Sequence, residues 1–253
     1  METGHSFEHT PLCVVLAGAS GGIGAQLLVQ LLAMPHVKRI YALSRSAQVH
    51  PDSKVVPVVC DLTVSADVQA LALRLKTDGC AINALINATG LLHGLHGGAA
   101  LKPEKALSQL TLAALNASFS VNAFANILLL QAVLPSMDKT KAAWIVNLSA
   151  RVGSIQDNQL GGWYSYRAAK AAQNQLFKTA SIELKRSHPL VTCLQLHPGT
   201  VDSALSKPFQ SGVPSGKLFS PAQAAACLLG VMASKTPADT GTFWDWNNTA
   251  IAW

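Results

Sequence analysis

The chain has 253 residues, of which 49% are hydrophobic and 13% are charged, so it can bury a full core and disorder is not expected. Its formal net charge is +6, but the basic side chains stand singly or in pairs such as Lys38-Arg39 and Lys185-Arg186. Without a basic run or a nucleic-acid motif, DNA and RNA are excluded as expected partners. A site for an anionic small molecule accounts better for the charge.

Short β-rich runs alternate with helical patterns along the chain. These runs are Cys13 to Gly18, Arg39 to Ser44, Val55 to Asp61, Ala84 to Gly90, Trp144 to Ser149, Val191 to Pro198 and a last strand in Gly241 to Asn247. The alternation predicts an α/β Rossmann fold, in which helices cover both faces of a doubly wound, mostly parallel sheet of about seven strands. No linker divides the chain, so one domain is expected over 1–253, with 1–11 flexible and 203–220 forming a substrate loop.

Directly after the first predicted strand the sequence reads GASGGIG and then continues as a helical pattern. Glycines at Gly18, Gly22 and Gly24 let backbone amides approach a pyrophosphate at the helix N-terminus, and Ser20 can add a hydroxyl. The spacing GxxxGxG differs from the general GxGxxG fingerprint, and a plain tight turn is the alternative. The position between a strand and a helix favours dinucleotide binding.

The end of the second predicted strand indicates which dinucleotide binds. A free ribose 2′-hydroxyl calls for an acid there, but no Asp or Glu occurs between His9 and Pro51. Arg45 stands at this point instead, and its planar fork suits a 2′-phosphate, with Ser44 or Ser46 as further donors. A solvated surface arginine is the alternative. We predict NADP(H), preferred over NAD(H).

Three features of the chain bear on compartment and metal binding. The first residues, METGHSFEHTPLC, lack the basic and apolar regions of a secretory signal, and the five cysteines have no CxxC spacing. We expect a cytoplasmic protein with reduced core cysteines and no metal site. The uncharged segment Ala106 to Met137 is broken by polar amides, so buried helices are favoured over stable membrane insertion.

Tyr166 and Lys170 are four residues apart in YRAAK, within a run that favours helix, so they share one helix face. A phenol has a pKa of roughly 10, and a neighbouring ammonium favours the phenolate and lowers that pKa. Such a pair can give a proton to a carbonyl oxygen while hydride reaches its carbon. An ordinary helix surface is the alternative for the pair alone.

Other segments accompany this pair and resemble, in order and approximate spacing, the short-chain dehydrogenase/reductase family. They are GASGGIG, CDL at Cys60 to Leu62, NATG at Asn87 to Gly90, Asn122 in SVNAF, NLS before Gly153, YRAAK, and HPGTVDS at His197 to Ser203. The resemblance runs from about Leu12 to Trp253. GSIQDNQLGGWYSYR and the closing FWDWN resemble the C-factor and sniffer-like carbonyl reductase branch, which includes a cell–cell signalling protein and carbonyl reductases.

The resemblance implies a role for each matching residue. Tyr166 would be the acid in reduction, Lys170 would hold the nicotinamide ribose and tune Tyr166, and Asn122 would fix a proton-relaying water. The coenzyme would be bound at the pyrophosphate by Gly18, Ser20, Ile23 and Gly24, at the 2′-phosphate by Arg45, at the adenine by Asp61 and Leu62, at the riboses by Asn87, Ala88 and Gly90, and at the nicotinamide by Pro198, Gly199 and Val201.

One position departs from the family pattern. Family members often read NxSSxxG, in which the second serine bonds the substrate carbonyl, but counting back from Gly153 places Ala150 there. Ser149 precedes it, and because consecutive strand side chains face opposite ways it needs a bulge or local twist to substitute. Ser149 is kept as the provisional fourth catalytic residue, with Ser154, a backbone amide or a water as the other candidates.

The two loosest regions, Leu91 to Pro103 and Ser203 to Ser220, follow predicted strands and are expected to form walls or a lid of the site. His93 and His96 lie in the first of them. No carboxylate or cysteine partner is near in sequence, so contact with substrate is favoured over metal ligation.

Two further groups of apolar residues have open roles. Trp163, Trp244 and Trp246 either wall an apolar pocket or serve ordinary packing or a subunit contact. The apolar residues of Ile127 to Leu130 and of the helix after Lys170 exceed what one sheet face demands. Family members pair these helices, so a homodimer or homotetramer is expected.

Two functions from different classes follow from these observations. The first is an NADP(H)-dependent oxidoreductase that transfers hydride between nicotinamide and a small carbonyl or alcohol substrate. The second, motivated by Ala150, is a catalytically weak cofactor-binding signalling or regulatory protein on the same fold.

Overall fold

Strands and helices alternate through the computed structural model, which describes residue 7 and residues 9–253. The strands are β1 (Leu12–Ala17), β2 (Val37–Ser44), β3 (Val55–Val59), β4 (Ala84–Asn87), β5 (Gly94–His96), β6 (Ala99–Leu101), β7 (Ala143–Leu148), β8 (Val191–His197), β9 (Thr200–Val201), β10 (Leu218–Phe219) and β11 (Thr242–Asp245). The helices are α1 (Gly22–Ala33), α2 (Ser65–Asp78), α3 (Leu112–Phe119), α4 (Ala125–Val133), α5 (Tyr164–Ser187) and α6 (Pro221–Ala233).

The main sheet has seven strands in the order β11-β8-β7-β4-β1-β2-β3, and each neighbouring pair is parallel. The predicted single-domain Rossmann fold is therefore confirmed. Each run that was rich in β-formers became a strand because both faces of a parallel sheet are covered, which demands near-continuous apolar sequence. The order reverses direction at β1 and β4, so the carboxyl ends of these strands open a crevice for a ligand.

Side chains of each central strand alternate between two cores. On β1, Val14 and Leu16 face a core that is covered by α1 and α6, whereas Val15 and Ala17 face one covered by α2, α4 and α5. Leu27 of α1 is among the residues of the first core. The two cores hold the sheet rigidly, so its carboxyl edge can position a site.

The short strands lie outside the main sheet. The antiparallel hairpin β5–β6 occupies the loop after β4, and the parallel pair β9–β10 closes the segment after β8. A 3₁₀ helix, Lys207–Gly212, lies between β9 and β10. Both loops that were expected to surround the ligand thus carry structure of their own.

The cysteine prediction is wrong for one pair. Cys13 of β1 and Cys80, which follows α2, are joined by a disulfide, whereas Cys60, Cys193 and Cys227 are free. The two bonded residues are 67 positions apart in sequence, and only the packing of α2 against the sheet brings them together. No local spacing could have indicated the pair.

One residue of the N-terminal segment, Phe7, packs into the core. Phe7 is buried and packs edge-on against Trp144 and His36, while residues 1–6 and 8 of the segment expected to be flexible lie outside the described residues.

By length and composition alone, the continuous helical stretch Leu112–Ser136 could cross a membrane, but half of its most apolar window is buried inside the fold.

Candidate active site

Two cavities lie along the carboxyl edge of the sheet. The first, of about 210 Å³, contains many of the residues predicted to bind a coenzyme: Gly18, Ser20, Ser44, Arg45, Asp61, Leu62, Ala88 and Gly90. The second, of about 390 Å³, contains the predicted residues Ile23, Tyr166, Pro198, Gly199 and Val201. The glycine turn adjoins both, because its first half lines one cavity and Ile23 lines the other.

The glycine turn has the geometry that an anion needs. Gly18 has φ +76°, which favours glycine, and a Cβ on Gly24 would overlap the carbonyl oxygen of Gly18. Gly21 precedes α1 without a side-chain cap, so the first amides of the helix remain available to a pyrophosphate. Gly22 also allows close packing of the turn against the loop after β8, since a Cβ there would lie 3.2 Å from the Cβ of Ser203.

Replacing Gly24 by alanine should disrupt this turn. The added methyl would press on backbone rather than on a flexible side chain, so we expect loss of about 3 kcal/mol in the free energy of unfolding, together with loss of dinucleotide binding. Urea denaturation and NADPH titration measure the two effects. Gly230→Ala is the control, because that exposed helical glycine has open space around it and should be neutral or slightly stabilised. Equal stability of the two variants would contradict the expectation.

The lining of the first cavity includes three ionisable residues, Arg45, Asp61 and His96. Burial raises the pKa of Asp61, but hydrogen bonds from Thr63 and the positive charges of Arg45 and His96 outweigh burial, so the net pKa lies below its ordinary value. His96, on the β5–β6 hairpin, also lines this cavity. Ser44 is buried and donates its hydroxyl to the Ser46 carbonyl at 2.7 Å, so that hydroxyl is not free for a phosphate.

Asn87 shapes the cavity without lining it. Its amide nitrogen donates to Asn126 at 2.9 Å, and its oxygen accepts from the backbone and hydroxyl of Thr89. These bonds hold the turn that exposes Ala88 and Gly90 to the first cavity. Asn87 therefore positions neighbouring backbone in this structure.

Tyr166 is buried at the start of α5 and opens on the second cavity. Among the described residues, none forms a hydrogen bond with its hydroxyl. Burial raises the pKa of Tyr166, so the phenol is neutral at ordinary pH. A buried phenol with a free hydroxyl at a cavity can give its proton to a bound molecule.

Lys170 lies one turn further along α5, with its Nζ 5.9 Å from the centre of the Tyr166 ring. The Nζ donates to the Leu148 carbonyl at 3.0 Å and to Gln173 Oε1 at 2.9 Å. Burial lowers the pKa of Lys170 to about 7. The expectation that this ammonium lowers the phenol pKa is wrong for the protein alone, because both groups are desolvated and the Nζ turns toward Leu148 and Gln173.

Asn122 lies in a π-helical turn, Ser120–Phe124, between α3 and α4. Its side-chain amide bonds both the backbone nitrogen and the carbonyl of Leu91, at 2.9 and 2.7 Å, and so ties the loop after β4 to this turn. Its own carbonyl accepts from Asn126. A role in holding a water stays a prediction.

The strand end after β7 decides between the serine candidates. Ala150 lines the second cavity, whereas the buried Ser149 donates its hydroxyl to Asn174 Oδ1 at 2.7 Å. Ser154 is buried too, and its hydroxyl accepts from the Asp157 backbone. This geometry does not support the serine role for Ser149, because strand alternation turns it toward α5 without the bulge it would need.

Comparison with known proteins decides the family. The model of the short chain dehydrogenase family matches residues 12–213. The chain belongs to the short-chain dehydrogenase family. It is 28% identical to a 1-hydroxy-2-glutathionyl-2-methyl-3-butene dehydrogenase of Rhodococcus sp. over 95% of this chain and 99% of that protein. It is 30% identical to C-signal of Myxococcus xanthus over 58% of this chain and 84% of that protein, which confirms the expected likeness to the C-factor and sniffer-like branch.

A solved structure of the short-chain dehydrogenase fold also matches nearly the whole chain. The NADPH-bound carbonyl reductase from chicken fatty liver superposes with a TM-score of 0.80 at 26% identity, and the match covers 96% of this chain and 99% of that chain. The first cavity and the uncapped helix of the glycine turn fit a dinucleotide of this kind. The chain is therefore an oxidoreductase of this family with a site suited to a nicotinamide coenzyme.

Several residues of this short-chain dehydrogenase site escaped sequence reasoning. Glu104 is buried and caps the start of α5, where it accepts from the hydroxyl and backbone nitrogen of Ser165 at 2.6 and 3.2 Å. Gln173 joins Lys170 to Gln195 of β8. Gln173 could have been suspected from its place one turn after Lys170, but Glu104 is 61 positions from its partner and gave no local signal.

The two arginines of the second cavity emerged only from the fold, whereas the sequence already offered Trp163 as a candidate pocket wall. Arg151 directly follows Ala150 and donates to Asp245 at the end of β11. Arg167 directly follows Tyr166, and both arginines line this cavity. Of the three tryptophans considered, Trp163 lines this cavity. Trp244 instead stacks with Lys235, and Trp246 packs on Phe219 with ring centres 4.5 Å apart.

Proposed function

We propose that the protein is an NADP(H)-dependent carbonyl reductase, which transfers hydride between nicotinamide and a carbonyl or alcohol substrate with Tyr166 as acid and base. One observation carries the proposal: the buried Tyr166 hydroxyl has no hydrogen-bond partner in the described chain and opens on a cavity that Pro198 and Gly199 also line. The named activities of the Rhodococcus and chicken relatives agree with this class of reaction.

Each residue has a physical task in the proposed reaction. Reduced nicotinamide would supply the hydride to the substrate carbon. The neutral phenol of Tyr166 gives its proton to the carbonyl oxygen, and the charged form of Lys170 stabilises the resulting phenolate. Asn122 keeps the neighbouring loop in place and would hold the relay water. The lost serine bond weakens carbonyl binding but leaves proton transfer intact.

The coenzyme assignments combine the family pattern with the two cavities. The residues proposed to bind it are Gly18, Ser20, Gly22, Ile23 and Gly24 at the pyrophosphate, Arg45 at the 2′-phosphate, Asp61 and Leu62 at the adenine, Asn87, Ala88, Gly90 and Lys170 at the riboses, and Pro198, Gly199 and Val201 at the nicotinamide. Arg45 is the preferred phosphate ligand because Ser44 has given its hydroxyl to Ser46.

Arg45→Gln should erase the preference for the phosphorylated coenzyme. Removing a charged donor from a phosphate costs about 1.5–3 kcal/mol, so we expect the ratio of kcat/KM for NADPH over NADH to fall roughly 10- to 150-fold. Steady-state kinetics with both coenzymes measure the ratio. Arg39→Gln is the matched control, since Arg39 is exposed on β2 and does not line the first cavity. An unchanged ratio in Arg45→Gln would remove Arg45 from coenzyme selection.

The proposed activity is tested directly with purified protein. NADPH oxidation is followed at 340 nm, the absorbance maximum of reduced nicotinamide, with a panel of aldehydes, ketones and quinones. Sustained turnover that depends on both protein and acceptor supports the reductase. Tight NADPH binding without turnover of any acceptor would support the second function.

That second function is a regulatory or signalling protein that binds the coenzyme without relevant catalysis. It is favoured by Ala150 at the serine position, by the absence of Ser149 from the cavity lining, and by the likeness to C-signal. Robust turnover with any acceptor in the panel would contradict it.

Assembly and location are also proposals. We propose a homodimer or homotetramer in the cytoplasm, without stable membrane insertion. Much of the apolar surface considered for pairing is internal, since Leu129, Phe177 and Leu184 are buried in this chain. Leu128 and Ile182 remain exposed and are the residues available for a subunit contact. Light scattering of the purified protein measures the oligomeric state.

A further inference from the structure

The second cavity has an arginine that makes no close ion pair with any described residue, while Asp157, which lines the same cavity, acts on its charge from beyond 4.0 Å. Arg167 follows Tyr166 on α5, and both side chains line this cavity. The Arg167 Nε donates to the carbonyl oxygens of Gly161 and Gly162 at 3.2 and 3.0 Å, and Nη1 is 3.5 Å from the Val152 carbonyl oxygen. These are neutral acceptors, which orient the guanidinium without cancelling its charge.

The other charges around the cavity are already paired. Arg151 donates to Asp245 and has its Nη1 3.6 Å from Asp157, so that guanidinium lies between two carboxylates. Among the described residues, Arg167 has no carboxylate within 4.0 Å. Its Nη2 makes no hydrogen bond within the same described chain, and a guanidinium with unused donors can bind an oxyanion.

Much of the lining of this cavity is apolar. Side chains of Leu92, Leu205, Phe209 and Val213 line the cavity together with Trp163, whose ring centre is 5.1 Å from that of Phe209. A cavity with this lining favours a ligand with an apolar body and a polar group at one end. The partly buried Arg167 is the group that can recognise that end.

We propose that the substrate carries a carboxylate that Arg167 binds while the reacting carbonyl lies at Tyr166. This inference rests on the proposed reductase function and names the class of substrate for the same site. Tyr166 and Arg167 line the same cavity of about 390 Å³, so one substrate with a short apolar spacer can reach both groups. Apolar walls then hold the spacer, and the carboxylate fixes which end enters first.

A matched pair of aldehydes tests the proposal. 4-Carboxybenzaldehyde and methyl 4-formylbenzoate share a ring and an aldehyde but differ in the charge at the far end. For the unchanged protein we expect kcat/KM to be at least about tenfold higher with the carboxylate. Arg167→Gln should abolish this preference, and Arg167→Lys should retain part of it because the charge remains. Arg186→Gln, at the exposed end of α5, should keep both the activity and the preference.

Calorimetry separates failure of this inference from failure of the reductase. Binding of each aldehyde is measured with NADP⁺ present, a combination that cannot reduce the carbonyl. If no acceptor of the panel, these two aldehydes included, is turned over, the reductase proposal fails, but tighter binding of the carboxylate that Arg167→Gln loses still supports the anion site. Equal or weaker binding and turnover of the carboxylate by the unchanged protein, or an undiminished preference in Arg167→Gln, overturns the inference.

Discussion

Replacing Tyr166 by phenylalanine should lower kcat for carbonyl reduction by about 10²- to 10⁴-fold, because the variant lacks the proton that the substrate oxygen must receive. The hydroxyl has no protein partner among the described residues, so its removal leaves no broken hydrogen bond in the core. NADPH binding and thermal stability should therefore remain close to those of the unchanged protein. Steady-state kinetics, coenzyme titration and thermal unfolding measure the three quantities.

Tyr164→Phe provides the matched control for this change. Tyr164 stands two residues earlier on the same helix, is partly exposed and does not line the second cavity. Its replacement should leave kcat unchanged. Full activity of Tyr166→Phe would rule out the acid role of Tyr166 and with it the proposed mechanism.

Replacing Lys170 by methionine should lower kcat by about 10²- to 10³-fold, as expected for loss of one preorganised charge at a transition state. In the proposed mechanism a phenolate would form at Tyr166 when its proton leaves, and the ammonium one turn away would stabilise that charge. Methionine has a similar length but no charge. It also leaves Gln173 and the Leu148 carbonyl without this donor, so thermal unfolding must accompany the kinetics.

The pH dependence distinguishes an electrostatic role for Lys170 from a purely structural one. Burial holds the pKa of Lys170 at about 7, below its ordinary value of 10.5. The ammonium fraction therefore rises as pH falls through about 7, and reduction should be faster below that pH and slower above it. In Lys170→Met the rate of reduction should no longer rise as the pH falls through about 7, whereas the exposed control Lys185→Met should keep this rise. The same rise in rate in Lys170→Met would contradict the electrostatic role.

Local sequence patterns were sufficient for the main elements. Buried parallel strands require apolar runs on both faces, so β1 and β7 were visible as β-rich segments before any contact was known. Helical spacing put Tyr166 and Lys170 on one face of α5, and strand alternation separated Ser149 from Ala150. In each case the decisive neighbour lies within a few positions along the chain.

The details that depend on distant partners were not visible. The β5–β6 hairpin consists of two strands of three residues among glycines, too short for an alternating pattern. Arg151 and its partner Asp245 are 94 positions apart. The pKa of Lys170 was also inaccessible, because it follows from burial and from contacts with Leu148 and Gln173 rather than from the spacing to Tyr166.

By itself the sequence determined a doubly wound sheet, a glycine turn at its first crossover, an arginine in place of an acid after β2, and a tyrosine and lysine on one helix. These follow from backbone periodicity and from side-chain chemistry at neighbouring positions. Only the tertiary structure decided that Ser149 turns to Asn174, that Cys13 meets Cys80, and that Arg167 lines the second cavity with no described carboxylate within 4.0 Å. Those outcomes depend on burial and on pairs brought together by packing, which no local pattern specifies.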